Sequence, residues 1–189
     1  MFTTALNVSN LSLGDLVTSK KGINSVPLTC ANKPAVWIPD AQNVAFEPKS
    51  FNNDERMNLV MQASPAAIET LTVLDEQIMQ QCFAESQRIF GKSLTLDEVR
   101  LRYNSCLKLS DKGYEPTFKA KIALTGTGAI KCWNADKTMR KLPSSWVGCT
   151  VQPRILLRCI WVMPTAFGCL FECADTLLAE GETETECPF

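Results

Sequence analysis

The chain has 189 residues, 46% of them hydrophobic, with nineteen Lys/Arg against twenty Asp/Glu, ten prolines, nine cysteines and no histidine, a composition suited to one folded core rather than global disorder. Lacking histidine, it lacks the commonest general base and every Ser-His or Cys-His mechanism, and scattered cysteines without a Cys-x-x-Cys pair leave no zinc signature. The near-neutral total hides a polarised chain: residues 100–158 carry twelve Lys/Arg against Asp111, Glu115 and Asp136, whereas residues 159–189 carry six acids and no base.

Residues 1–25 are polar, rich in Ser, Thr and Asn and without period, which predicts a loop or flexible arm. Short strands are predicted at Val26–Cys30 and Ala35–Ile38, either side of the turn-prone Ala-Asn-Lys-Pro, and again at Asn43–Phe46 and Arg56–Ala63. Ser64-Pro65 reads as an N-cap followed by proline at the first helical position. Apolar residues then recur at three- and four-residue steps from Ile68 to Ile89, and Gly91 closes the run. One long helix over about 64–90 follows from this, and Thr95-Leu-Asp-Glu caps a short second helical turn before Tyr103.

Beyond Ser105 the period changes from 3.6 to 2. Thr117, Lys119, Lys121 and Ala123 share one face of a strand, and Phe118, Ala120, Ile122 and Leu124 the other. In Ala129–Trp133, Lys131 and Trp133 point outward while Ile130 and Cys132 point inward, with Gly126-Thr-Gly128 as a hairpin signal between the two strands. Lys137–Pro143, KTMRKLP, reads as a basic loop projecting from the sheet edge. Val151–Met163 and Phe167–Leu177 form the last strand pair. Ile155, Leu157, Cys159 and Trp161 are expected on its core side, and Arg154 and Arg158 opposite. Five or more curled strands with one inserted helix predict a mainly β fold, a small barrel of the OB type. The predicted organisation is an arm at 1–25, a barrel domain at 26–178 and a disordered acidic tail at 179–189.

No Gly-rich phosphate loop, paired-carboxylate signature or nucleophile motif is present, so no catalytic site, metal or cofactor is expected. A basic segment interleaved with Tyr103, Tyr114, Phe118, Trp133 and Trp146 suits a polyanion whose bases can stack. The candidate nucleic-acid-binding residues are Lys108, Lys112, Tyr114, Lys119, Lys121, Lys131, Trp133, Lys137, Arg140, Lys141, Arg154 and Arg158. Lysines at alternate positions are also ordinary edge guards, and Arg158 has an alternative use as partner of Glu172 across the hairpin. The last residues place Glu180, Glu182, Glu184 and Glu186 before Pro188 and Phe189. A terminal aromatic beside a carboxylate on such a tail is a handle for a partner's pocket. Thiols within apolar runs and the absence of a signal peptide predict a reducing, intracellular compartment, host cytoplasm or nucleus. The most apolar span, Ile155–Phe171, is interrupted by Arg158 and Pro164, so no membrane segment is expected.

The tail, with its spaced acids and final Pro-Phe, resembles the acidic tip of bacterial and tailed-phage single-stranded DNA-binding proteins. The body resembles the phage and large-DNA-virus members of that class that have one OB-fold. The segments that carry this are YNSCLKLSDKGYEPTFKAKI, the Trp133 strand, and GCTVQPRILLRCIWVMPTAFGCLFECADTLL, within roughly residues 26–189. Cys187 and the interspersed Thr and Gly depart from the more acidic run of that pattern. The resemblance implies a non-catalytic, sequence-tolerant single-stranded DNA-binding protein that supports viral or phage DNA replication and recombination. The implied partners are single-stranded DNA and, through the tail, replication proteins, with homodimerisation left open. An RNA-binding or RNA-chaperone barrel and a virion structural or assembly protein are the alternative readings.

Overall fold

A computed structural model describes residues 3–49 and 56–179. The acidic tail falls outside them. Strands β1 (Leu11–Leu13), β2 (Val17–Thr18), β3 (Asn24–Cys30), β4 (Lys33–Trp37), β5 (Gln42–Phe46) and β6 (Arg56–Gln62) precede three helices. These are α1 (Pro65–Ala84), α2 (Ser86–Phe90) and α3 (Leu96–Arg102). Strands β7 (Tyr103–Asn104), β8 (Thr117–Ala123), β9 (Lys131–Trp133), β10 (Met139–Arg140), β11 (Thr150–Val162) and β12 (Phe167–Leu178) follow.

The antiparallel β11–β12 hairpin is the spine. One edge of β11 receives β5, β4 and β3 in turn. The free edge of β12 receives β7, β8 and β9, all parallel to it. Because β5 pairs β6 and β6 pairs β8, the circuit β11–β5–β6–β8–β12 returns to β11 and closes a five-stranded barrel. The helices are inserted between β6 and β8. This is the mainly β, OB-like architecture that the change of period predicts.

Alternation fills the barrel as expected along β8, where Phe118, Ala120 and Ile122 are buried, and along β6, where Leu59 and Met61 are. From α1 come Leu71, Leu74, Ile78 and Cys82. Burial pushes the thiols of Cys82 and Cys173 up to about 12 and that of Cys132 up to about 11, so these cysteines pack as small hydrophobes. Ser64 caps α1 by accepting from the Ala67 amide at 3.2 Å. The Ser64 amide donates to Gln42 Oε1 at 2.9 Å, and its hydroxyl to Asp40 at 2.8 Å, which fastens the helix start to β5. The long helix is interrupted at Glu85, and Gly91 ends α2 at φ 71°, a conformation that glycine adopts freely. Thr95 and Glu98 form a reciprocal capping box at α3.

Three expectations are corrected. Residues 3–18 are not an arm: β1 pairs β3, Thr4 bridges to Ile38, and Leu6, Val8 and Leu11 are buried. Their apolar residues are too few to show a period, yet each closes an edge of the core. Gly126–Gly128 joins no hairpin of paired strands. A single backbone bond links Ile130 to Ala123, and β9 pairs instead with β12 and β10. Trp161 is only half-buried, because the register shifts between Leu157 and Cys159, so Ile160 and Val162 take the inward positions. Cys159 likewise is only half-buried. A bulge adds one residue to a strand and reverses the faces beyond it.

No helix among the described residues is long and apolar enough to cross a membrane, and no group of three or more His, Cys, Asp or Glu side chains there is placed to hold a metal. Cys30, Cys82, Cys106, Cys132, Cys149, Cys159, Cys169 and Cys173 are free thiols.

Candidate nucleic-acid interface

Strand β12 gathers the outer-face residues along both its edges, Trp161 from β11 on one side and Lys121, Lys131 and Trp133 from β8 and β9 on the other. Trp161 lies opposite Gly168, Lys121 opposite Glu172, Lys131 opposite Asp175 and Trp133 opposite Leu177. Their inward neighbours Ile160, Ile122, Cys132 and Thr176 are buried, so this row lies on the outer face. From Gly168 to Leu177, at about 3.3 Å per residue, the row runs for roughly 30 Å.

At the Trp161 end the face hollows into a cleft of about 650 Å³, lined by Phe46, Val60, Lys108, Leu109, Lys119 and Trp161 among others. Phe46, Val60 and Lys119 stand in one cross-strand row. Phe46 is 62% exposed and Leu109 71%, so both present apolar surface to the cleft they line. Phe46 also borders a second hollow, with Lys49, Asn58 and Val147. Trp161 can lie across the sheet because residue 168 is glycine: a Cβ there would stand 3.0 Å from its ring and 2.9 Å from the Asn104 carbonyl.

A buried carboxylate shapes the wall of this cleft. Asp75 of α1 accepts from the Tyr103 hydroxyl at 2.7 Å, the Ser105 hydroxyl at 2.5 Å and the Cys106 amide at 3.1 Å. The segment that lines the cleft is thereby held to the helix. Burial pushes the Tyr103 hydroxyl well above the ordinary tyrosine range, and a hydrogen bond with the Cys169 thiol, together with burial, does the same to Cys106. At the second hollow, Glu47 accepts from the Ser145 hydroxyl and the Trp146 and Val147 amides at 3.0, 2.8 and 3.3 Å. The Trp146 amide bond is the main reason its carboxyl titrates below the ordinary range.

The remaining candidates fall in three groups. Lys108 bridges to Thr117 at the base of a loop that carries exposed Lys112 and Tyr114 beside the cleft. Lys137, at φ 69°, forms the tip of the β9–β10 hairpin, and Lys141 is exposed just after it. Arg140 shares the register of buried Cys132, on the face opposite Trp133, and reaches the Ala179 carbonyl at 3.5 Å. Arg154 and Arg158 do lie on the outer face, but each meets an acid of β12: Arg154 Nη1 is 3.3 Å from Asp175, and Arg158 Nε is 2.6 Å from Glu172. Trp133 Nε1 donates to the same Asp175 at 3.2 Å. Neither arginine is open to a phosphate without exchange. Among the aromatic residues of the basic segment, Phe118 and Trp146 are core and Tyr103 is tied to Asp75. The tail residues Glu180, Glu182, Glu184, Glu186, Pro188 and Phe189 lie outside the described residues.

The sequence reading missed Phe46 and misplaced Trp161. The first stands in a short apolar strand with nothing to mark it as exposed, and the second is displaced by a bulge.

No protein-family model matches the chain, and no curated protein matches it. Solved structures share its fold. A C-terminally truncated single-stranded DNA-binding protein from bacteriophage Enc34 aligns with a TM-score of 0.53 at 11% identity, over 89% of this chain and 96% of that one. The single-stranded DNA-binding protein gp2.5 of bacteriophage T7 aligns with a TM-score of 0.54 at 8% identity, over 79% of this chain and 88% of that one. The barrel with its inserted helices is therefore an architecture held in common with these two phage proteins.

Proposed function

We propose that the chain is a non-catalytic protein that binds single-stranded DNA with little regard to sequence, along the outer face beside β12. One observation carries the reading: Lys108 and Lys119 line one cleft with Phe46 and Trp161, and Lys121, Lys131 and Trp133 follow along the outer side of the same β12 edge. Backbone phosphates need dispersed cations, and unpaired bases need flat apolar rings. A surface alternating the two suits a strand whose bases are free to stack. Its length of roughly 30 Å fits the lower part of the ~4–16 nucleotides that such a barrel covers. That the two solved structures compared above are of phage single-stranded DNA-binding proteins supports this choice among the chemistries an OB barrel can host. A role in DNA replication or recombination, with the tail capturing replication proteins, extends the same proposal. The free thiols suit an intracellular, reducing setting.

The test is a fluorescence titration with oligo-dT, oligo-U and a duplex at several salt concentrations. Tight dT binding is expected, with log K falling against log salt at about −0.7 per neutralised phosphate. About five contacts would cost roughly a hundredfold in affinity between 50 and 200 mM salt. A slope near zero, or no response to dT, would overturn the proposal, and preference for oligo-U would move it to RNA.

A further inference from the structure

We infer that Glu172 and Asp175 are specificity determinants, which bias the outer face toward unpaired strands and against duplex. The inference rests on the nucleic-acid reading above and adds the reason for two acids in the middle of a cationic surface.

Both acids sit on the outer face of β12, each beside an arginine of β11: Glu172 with Arg158, Asp175 with Arg154. Between the Trp161 cleft and the Trp133 end of the row, Glu172 stands level with Lys121 and Asp175 level with Lys131, so each acid has an arginine on its β11 side and a lysine on the other. The two arginines, 45% and 55% exposed at the side chain, would otherwise be the strongest phosphate ligands on this face, since a guanidinium grips phosphate bidentately. Pairing neutralises them. An exposed pair of this kind is weak and easily opened. Opening it for a phosphate nevertheless leaves the carboxylate beside the incoming anion. The arginines at the middle of the face therefore offer little to phosphates, and the surface between them remains available to bases and sugars.

Duplex and single strand feel this unequally. Duplex DNA presents a dense row of phosphates, about one charge per 1.7 Å of axis, with its bases stacked inside. Its binding rests on neutralisation, so two masked cations remove much of what it could gain. An unpaired strand can bow its backbone away from the carboxylates and still stack on Trp133 and Trp161. Asp175 has a second use that fits this role: it accepts from Trp133 Nε1 and so holds that ring in place.

The experiment measures affinity for oligo-dT and for a duplex of equal length, in the native protein and in Glu172→Gln, Asp175→Asn and the double variant. Asparagine keeps an oxygen for Trp133, so the ring stays oriented. Duplex affinity should rise about tenfold in the double variant and dT affinity less than about threefold, with the duplex salt slope steeper by about 0.9 per newly engaged phosphate. Adding Arg158→Gln to Glu172→Gln should lessen the gain, leaving only the share that Lys121, opposite Glu172, supplies. Equal gains for both ligands, a gain undiminished by loss of Arg158, or lower melting temperature with unchanged discrimination would overturn the inference and leave two cross-strand pairs that only zip β11 to β12. Should the double variant unfold, the single Asp175→Asn carries the same expectation at smaller size. Failure of the native protein to bind dT at all would strike the parent proposal instead.

Discussion

The hydroxyl of Tyr103 donates to Oδ1 of Asp75 across 28 positions of sequence, at 2.7 Å. With Ser105 and Cys106 on the same carboxylate, this joins the middle of the long helix to the wall of the cleft. Asp75→Ala should leave those donors without an acceptor, each at a cost of about 1–3 kcal/mol when buried. We expect a total loss near 3 kcal/mol by urea titration, since some donors will find water, together with weaker DNA binding as the segment loosens. Unchanged stability would show that water replaces the carboxylate fully.

The same contact gives an alkaline signature. Burial raises the Tyr103 hydroxyl above its ordinary value of 10.0, so the folded state holds this proton more tightly than the unfolded one. Its contribution is complete below about pH 10 and is lost as pH rises beyond it. The urea midpoint should fall between pH 9 and pH 11, and Tyr103→Phe, which has no proton to lose, should lessen that fall. Parallel declines in the two proteins would place the cause elsewhere.

Two tryptophans should separate binding from stability. Trp161→Ala, at the cleft, should weaken dT binding by about 1–3 kcal/mol, the range for one base on one ring. Trp146→Ala, in the core at 2% exposure, should lower stability by about 3–5 kcal/mol. Melting and titration of both variants check this. The opposite pattern would mean that the strand face beyond the bulge is wrongly read.

Gly168→Ala probes how closely the backbone must approach beneath Trp161. The new methyl would meet the Asn104 carbonyl at 2.9 Å, so β7 and β12 must part or the ring must lift. A loss of about 1–3 kcal/mol is expected, with weaker dT binding. A fully neutral variant would show that this contact yields easily.

Removal of residues 180–189 concerns charge rather than fold. Glu180, Glu182, Glu184 and Glu186 are tethered to a chain whose middle is strongly basic. Effective concentrations on short linkers are about millimolar. The tail should compete with DNA at low salt, so its removal should tighten binding, and the gain should shrink as salt screens both contacts. Removing Phe189 alone should leave DNA affinity nearly unchanged. Equal affinities of the full and shortened chains at low salt would reduce the tail to a soluble end.

The strands and helices were legible in the sequence wherever local period decides structure. Lys119 and Phe118 fall on opposite faces simply because they are neighbours in a strand, and Ser64-Pro65 starts α1 because of its capping chemistry. What was not legible depends on events between strands. The bulge that turns Trp161 outward exists only because β12 sets a register against β11. The pairing of β9 with β12 rather than β8 is a contact between segments far apart in sequence, which no dipeptide announces. Asp75 reads as an irregularity in an apolar stripe until Tyr103, Ser105 and Cys106 arrive beside it. Leu6, Val8 and Leu11 are too sparse to give a period, so their burial emerges only from the finished core.

The spine of the barrel is also the last part of it to be synthesised. Strands β3, β4 and β5 have their partner edge on β11, more than a hundred residues downstream. During translation β5 can pair with β6, and α1 can form, but no circuit can close before β12 has left the ribosome. For that interval the half-made sheet exposes the inward faces of Leu59 and Met61. Such long-range pairing is slow, and a nascent chain in this state is open to association with its neighbours. Substitutions that loosen the β11–β12 register should therefore lower the yield of folded protein well before they change the properties of the molecules that do fold.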